Sequence, residues 1–306
     1  MPTRLSLKDA SLALAVTLVW GTNFVVIRLG LDVLPALLFA CLRFLFVLLP
    51  ACLFIPRPRV PWRFLVLYGG SLGLIQFGLL FIAMKGMISP GLASLVVQMQ
   101  VFFTVGIAMW RQSEKVAPHQ LAAFALALAG MAVIAVHNGH GATIAGLALV
   151  LGAGLGWAIS NQAAREASRA ARAAGRDLNM LALVVWSSLF AVPPLAALSL
   201  LLEGPAAILH GLSHAGIGTW AVVAWQSVGN TMFGYGVWAI LLARYPAATV
   251  SPLSLLVPVF GFAASAAWLG EPLPLWKIGA TLLIMAGLAI NLLWRPRRAA
   301  VTGEAC

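Results

Sequence analysis

Arg43 lies about ten residues into an unbroken apolar run, where a guanidinium needs a water-filled cavity or a ring of oxygen acceptors. Two chemistries fit it. It could meet a substrate carboxylate or a partner dipole, or its long stem could snorkel outward and cap carbonyls of a neighbouring helix. Other polar side chains interrupt apolar runs in the same way. Trp20, Asn23 and Ile27 fall on one helical face. An amide one turn from an indole could hold a small polar solute and stack its apolar part, or make a hydrogen bond between helices. Gln76, Gln98 and Gln100 offer further amides. Gln98 and Gln100 are two residues apart, so one of them is expected in a cavity. Gln226 and Asn230 share a face at i, i+4, with Tyr235 beyond them. Ser251 and Ser254 share a face beside Pro252 and Pro258, whose rings free carbonyls for a kink or for ligand contact. Trp157, Trp186 and Trp238 lie deep enough to form cavity walls, whereas Trp62, Trp110, Trp268, Trp276 and Trp294 stand at the ends of apolar runs and read as interfacial anchors.

Other chemistries lack their residues. Every Asp and Glu falls in a tail, a loop or the end of an apolar run, and the histidines lie near such ends too. No buried proton relay is visible, so transport driven strictly by protons is not expected. Glu114 and Glu271 read as capping or gating residues. There is no His-Glu-x-x-His, no phosphate-binding Gly-x-x-x-x-Gly-Lys-Ser/Thr and no base beside a buried serine, which argues against an enzyme and against any metal or cofactor. Cys41 and Cys52 are about 16 Å apart along a helix, too far for a disulfide.

Such residues must be positioned by the elements around them, and composition names those elements. Of 306 residues, 62% are hydrophobic and 9% charged. Soluble domains carry about 25% charge, so a soluble surface cannot be covered. Barrel strands would show short alternating segments, which are absent. An all-α membrane protein remains, with the lipid bilayer as its obligate partner. The net charge of +11 comes from Lys and Arg scattered between apolar runs, which suits membrane orientation and not nucleic acid.

Ten segments are long enough to cross a bilayer: roughly 10–30, 34–55, 64–84, 91–110, 121–136, 143–162, 178–202, 217–243, 247–269 and 275–294. The longest connection is expected near 164–177. The first segment has no small-residue cleavage site after it and reads as a retained helix. With the N-terminus in the cytoplasm, fifteen Lys and Arg fall on the cytoplasmic side and three outside. That asymmetry predicts that both termini are cytoplasmic.

The chain also repeats itself. A shift of 157 residues sets Ser94 on Ser251, Glu114 on Glu271 and Gly130 on Gly287. A shift of 137 sets Trp20 on Trp157 and Arg28 on Arg165, and Pro50 meets Pro193 at 143. Spans 1–5 therefore read as duplicated in spans 6–10. Five is odd, so the second copy enters the membrane inverted, as in many secondary transporters with midplane sites. The expected units are 1–140 and 141–298, followed by a cytoplasmic tail, 299–306.

Several stretches carry a family resemblance: 20–44 (WGTNFVVIRLGLDVLPALLFACLRF), 90–104 (PGLASLVVQMQVFFT), 234–261 (GYGVWAILLARYPAATVSPLSLLVPVFG) and 270–273 (GEPL). In these the sequence resembles the EamA family of the drug/metabolite transporter superfamily, along essentially its whole length. Within that family it looks most like the bacterial exporters of cysteine and O-acetylserine. Ser113-Glu114 departs from the Gly-Glu that the family favours in its first acidic turn. The resemblance implies a multi-pass exporter of small metabolites in the bacterial inner membrane, expected as a monomer, with a dimer as the alternative. It supplies no site motif. For an amino-acid cargo, Arg43 is the natural carboxylate partner, and oxygens of Asn23, Gln98 or Asn230 could take the ammonium.

Overall fold

Hydrocarbon leaves a chain no water for its backbone groups, so it must satisfy them internally. The computed structural model describes residues 5–112, 118–137, 139–245 and 247–293, and its regular elements are helical. They are α1 (Leu7–Leu31), α2 (Ala36–Phe54), α3 (Trp62–Met84), α4 (Pro90–Ile107), α5 (Pro118–Val136), α6 (Ile144–Ala173) and α7 (Met180–Ser213), with α9 (Pro252–Leu269) and α10 (Leu275–Leu293) near the end. Between them, Ile217–Ala224, Trp225–Phe233 and Gly234–Arg244 follow without a break and are together α8. Among the described residues nine helices, all but α8, are long and apolar enough to cross a membrane.

Local chemistry sets several ends. The side chains of Ser6, Thr143 and Asn179 accept from the N–H three residues on and cap α1, α6 and α7. Two boundaries differ from the sequence-based reading. Residues 164–173 are helix and not loop, because a run rich in Ala and Arg favours continuing α6. Beyond Glu203 the chain resumes as helix at Gly204, whose φ of +82° only glycine adopts readily.

The most extensive helix contacts keep their pattern when helices 1–5 and 6–10 exchange roles. Thus α1 packs on α9 as α6 packs on α4, and α3 packs on α6 and α7 as α8 packs on α1 and α2. The pairs α2–α7, α4–α9 and α5–α10 map onto themselves. Nine-residue π-helical stretches occupy matching places, Gly70–Gly78 in α3 and Trp225–Phe233 in α8. Small residues permit the close crossings. A Cβ at Gly69 would strike the Ser187 carbonyl of α7, and one at Gly156 would come within 2.9 Å of the backbone nitrogen of Gln76 in α3.

Candidate substrate-binding cavity

Between α1, α3, α4, α6, α8 and α9 lies a narrow, half-open cavity with about 40 Å³ of free volume. Its walls are Trp20, Asn23, Phe24 and Ile27 of α1, Gln76, Phe77 and Leu80 of α3, Val97 and Gln98 of α4, Trp157 of α6, Asn230 and Tyr235 of α8, and Val257 of α9. Both π-helical stretches reach it, through Gln76 and Phe77 on one side and Asn230 on the other. A π-turn widens the local spacing, and such segments cluster at functional sites. The Trp20 indole donates to the Asn230 carbonyl at 3.2 Å and lies against the Tyr235 ring, 5.5 Å between centroids. It fits there because residue 234 is glycine: a Cβ would collide with the indole.

Two amide oxygens in this wall lack partners. Gln76 is 3% exposed and Gln98 1%, and the Oε1 of each is buried with no hydrogen bond. Gln98 Nε2 donates to the Ser254 carbonyl at 3.2 Å, which fixes which end of that amide is left free. A buried acceptor without a donor costs about 1–3 kcal/mol, which a bound N–H or ammonium would offset.

Arg43 stands outside the wall. It is fully buried, its guanidinium 3.6 Å from the centre of the Phe77 ring. Nη1 donates to Gln226 Oε1 at 2.7 Å and Nη2 to Thr231 Oγ1 at 2.8 Å. Gln226 Nε2 in turn donates to Asn23 Oδ1 at 2.7 Å. The expected direct contact between Arg43 and a substrate carboxylate is therefore not what the geometry offers. The cation binds neutral oxygens of α8, and Phe77 lies over its face.

Seven of the thirteen residues singled out from sequence line the cavity: Trp20, Asn23, Gln76, Gln98, Trp157, Asn230 and Tyr235. The others do not. Gln100 Oε1 accepts from Asn161 of α6 at 3.1 Å. The Trp186 indole is spent on the Ile55 carbonyl at 2.9 Å. Trp238 lies behind Trp20, 5.2 Å between rings. Ser254 contributes its backbone carbonyl to Gln98. The Ser251 side chain, like Glu114 and Trp294, lies outside the described residues. Sequence reasoning missed Thr231 and Phe77 and paired Gln226 only with Asn230. Thr231 Oγ1 donates to the Gln226 carbonyl five residues back, a π-helical spacing that a 3.6-residue period does not reveal.

Apart from Arg43, the buried charges among the described residues stand at helix ends. Glu271, after α9, reaches the start of α4, where Oε2 accepts from the Gly91 N–H at 3.1 Å. Ser89 and Ser265 donate to the same carboxylate, and Lys277 Nζ meets Oε1 at 2.8 Å. Burial works against ionisation there, but the donors from Lys277, Ser265 and Ser89 outweigh it and hold the carboxyl below its ordinary value of 4.5. Lys277, counted from sequence as an outer-side charge, is 2% exposed and belongs to this cluster. Asp9 ties the start of α1 to the end of α8 through Tyr245 at 2.8 Å and Arg244 at 3.2 Å. Glu203 caps α2 through the Leu37 and Leu38 N–H groups. Among the described residues no group of three or more His, Cys, Asp or Glu could hold a metal.

Known proteins agree with this architecture. The chain is 42% identical over 303 residues, 97% of its length and 99% of the relative's, to a protein of Salmonella typhimurium LT2 described as a probable amino-acid metabolite efflux pump. It is 40% identical to an Escherichia coli K12 protein of the same description, over 95% of this chain and 98% of the other. A Streptantibioticus cattleyicolor protein described as a probable terminal-alkyne amino-acid exporter is 28% identical, over 98% of this chain and all of its own. A crystal structure 19% identical to the chain, covering 92% of it and 96% of the other, shares the fold with a TM-score of 0.61. The EamA-like transporter family matches twice, over residues 7–136 and 144–293. The chain, a multi-pass membrane protein, belongs to the EamA-like transporter family of small-molecule exporters.

Proposed function

We propose that this protein exports small amino-acid-like metabolites of the cysteine and O-acetylserine class across the bacterial inner membrane, by alternating access around the central cavity. The observation that carries the reading is a largely apolar cavity with four amide side chains and no ionised group in its wall among the described residues, two of the amide oxygens being buried without donors. Such a wall can replace water around an ammonium without a fixed carboxylate, and a site of that kind binds weakly enough to release. The descriptions of the relatives favour amino-acid cargo over other metabolites.

In this reading the chain crosses ten times, α8 included, as two inverted five-helix repeats with both termini cytoplasmic. The exchange-symmetric packing supports the repeats, and the charge asymmetry supports the orientation. A cytoplasm-only fluorescent reporter fused to the C-terminus should be bright; a dark, well-expressed fusion contradicts the topology. The monomer is taken as the working unit. Transport does not strictly require a proton gradient, so cargo should equilibrate across vesicles without an imposed pH difference.

A second reading is export of aromatic or other bulky amino acids, favoured by the Trp20, Trp157 and Tyr235 rings in the wall. Competition in vesicles separates the two. Cysteine and O-acetylserine should displace a labelled cargo at lower concentration than tryptophan, threonine, homoserine or a cationic dye. The reverse order overturns the cargo proposed.

A further inference from the structure

We infer that Arg43 is a positioning residue: through Gln226 it turns the Asn23 amide so that its N–H end serves the cavity, and the site thereby selects solutes that carry a carboxylate. The inference rests on the reading that the cavity binds the cargo, and it assigns the two charges of that cargo to different helices of its wall.

The argument is one of donor and acceptor supply. A guanidinium has N–H donors and no acceptor. Its Nη1 can therefore meet only the oxygen end of Gln226, at 2.7 Å. That leaves Gln226 Nε2 facing away from the cation, where it donates to Asn23 Oδ1 at 2.7 Å. Turning either amide over would set donor against donor, or acceptor against acceptor. The relay has one polarity, and Arg43 sets it. Thr231 Oγ1 holds the second guanidinium nitrogen at 2.8 Å, Ser227 Oγ donates to the Arg43 carbonyl at 3.0 Å, and the Phe77 ring covers the cation face.

Asn23 lines the cavity with its oxygen already occupied. Its NH₂ group meets no acceptor among the described residues, so a donor is left for the cavity. A buried charge that does not line the cavity is thus presented there as a pair of N–H groups. The α3 and α4 parts of the wall are set the other way. The Ser254 carbonyl holds Gln98 Nε2, and the oxygens of Gln98 and Gln76 are buried without partners. One cavity is thus lined by donors on α1 and acceptors on α3 and α4, the two kinds of group that an α-amino acid requires: carboxylate towards Asn23, ammonium towards Gln76 and Gln98.

The test is counterflow of radiolabelled cysteine in vesicles holding the purified full chain, inhibited by cysteine, by cysteinamide, which lacks the carboxylate, and by 3-mercaptopropionate, which lacks the ammonium. Wild-type protein should prefer cysteine to cysteinamide by about tenfold or more, the scale of one charge-assisted hydrogen bond. Gln226→Glu keeps an acceptor for Arg43 but has no N–H for Asn23. It should collapse the preference for cysteine over cysteinamide and leave that over 3-mercaptopropionate in place. Asn23→Asp should invert the first preference, and Arg43→Lys should recover only part of it, since an ammonium lacks the planar fork. A merely structural Arg43 would lower uptake of all solutes with their ratios unchanged, and that result overturns the inference. So does wild-type protein that takes cysteinamide as readily as cysteine, a comparison that needs no variant to fold. If labelled cysteine does not enter at all, the proposed cargo is wrong, and the same acid–amide pair is run with the amino acid that does enter.

Discussion

The Glu271 cluster and the central cavity both bury polar groups, and they treat them in opposite ways. Around Glu271 the two carboxylate oxygens receive Ser89, Ser265, the Gly91 N–H and Lys277. In the cavity the groups are neutral amides, and two of their oxygens receive nothing. A full charge in a low-dielectric setting must be answered by the protein itself, because an unanswered one would unfold it. A neutral amide can be left waiting at a cost of about 1–3 kcal/mol. Saturation thus goes with the structural clasp; Arg43 Nε, Arg57 Nε and Ser187 Oγ lack partners elsewhere, so it is the coincidence of an open oxygen with the cavity wall, at Gln76 and Gln98, that supports the proposed site.

The largest effect should come from breaking the saturated region. Glu271→Ala strands Lys277 in a buried position and should cost about 3–5 kcal/mol. The apparent Tm of detergent-purified protein should fall by many degrees, with transport lost as the fold is lost. A wild-type Tm would mean that the cluster is not a clasp. Next comes the packing that shapes the cavity. Gly234→Ala drives a methyl group into the Trp20 indole and should cost about 1–3 kcal/mol, with KM raised more than maximal rate falls. Equal loss in both would place Trp20 outside recognition.

Acid should separate the two regions further. Because the folded Glu271 carboxyl sits below its ordinary value, its contribution to stability is fully present above 4.5 and is lost as pH falls through the lower folded value. Apparent Tm should therefore drop on acidification below 4.5, and Glu271→Gln should flatten that drop. No carboxylate or imidazole lines the cavity among the described residues, so cargo affinity should stay level from about pH 5.5 to 8. The smallest effect is expected at Gln100, whose amide is engaged by Asn161: Gln100→Met should leave cargo affinity within about twofold.

The helices were legible because hydrocarbon imposes a length and a composition that sequence displays directly. The depth of Arg43 and the polar face around Asn23 were legible for the same reason. What Arg43 touches was not. Gln226 and Thr231 lie more than 180 residues away, and their placement depends on a π-helical stretch that no 3.6-residue pattern announces. Gln98 and Gln100 show the same limit. Alternation separates them, but only the packed α6, with Asn161 in reach of Gln100, decides which one the cavity receives. Lys277 looked like a loop charge because its partner lies in a turn six residues earlier whose course across α4 is tertiary.

The most direct measurement is equilibrium binding of radiolabelled cysteine to purified wild-type, Gln98→Leu and Gln76→Leu proteins, with apparent Tm recorded on the same samples. Each substitution removes an oxygen that has no partner in the empty protein. Stability of Gln76→Leu should hold or rise by about 1 kcal/mol, and that of Gln98→Leu, which also loses its bond to the Ser254 carbonyl, should stay within about 1 kcal/mol of wild type, while cysteine affinity should fall about tenfold or more in both. Unchanged affinity in both variants would contradict the account, because the two unpartnered oxygens would then not be where the cargo binds.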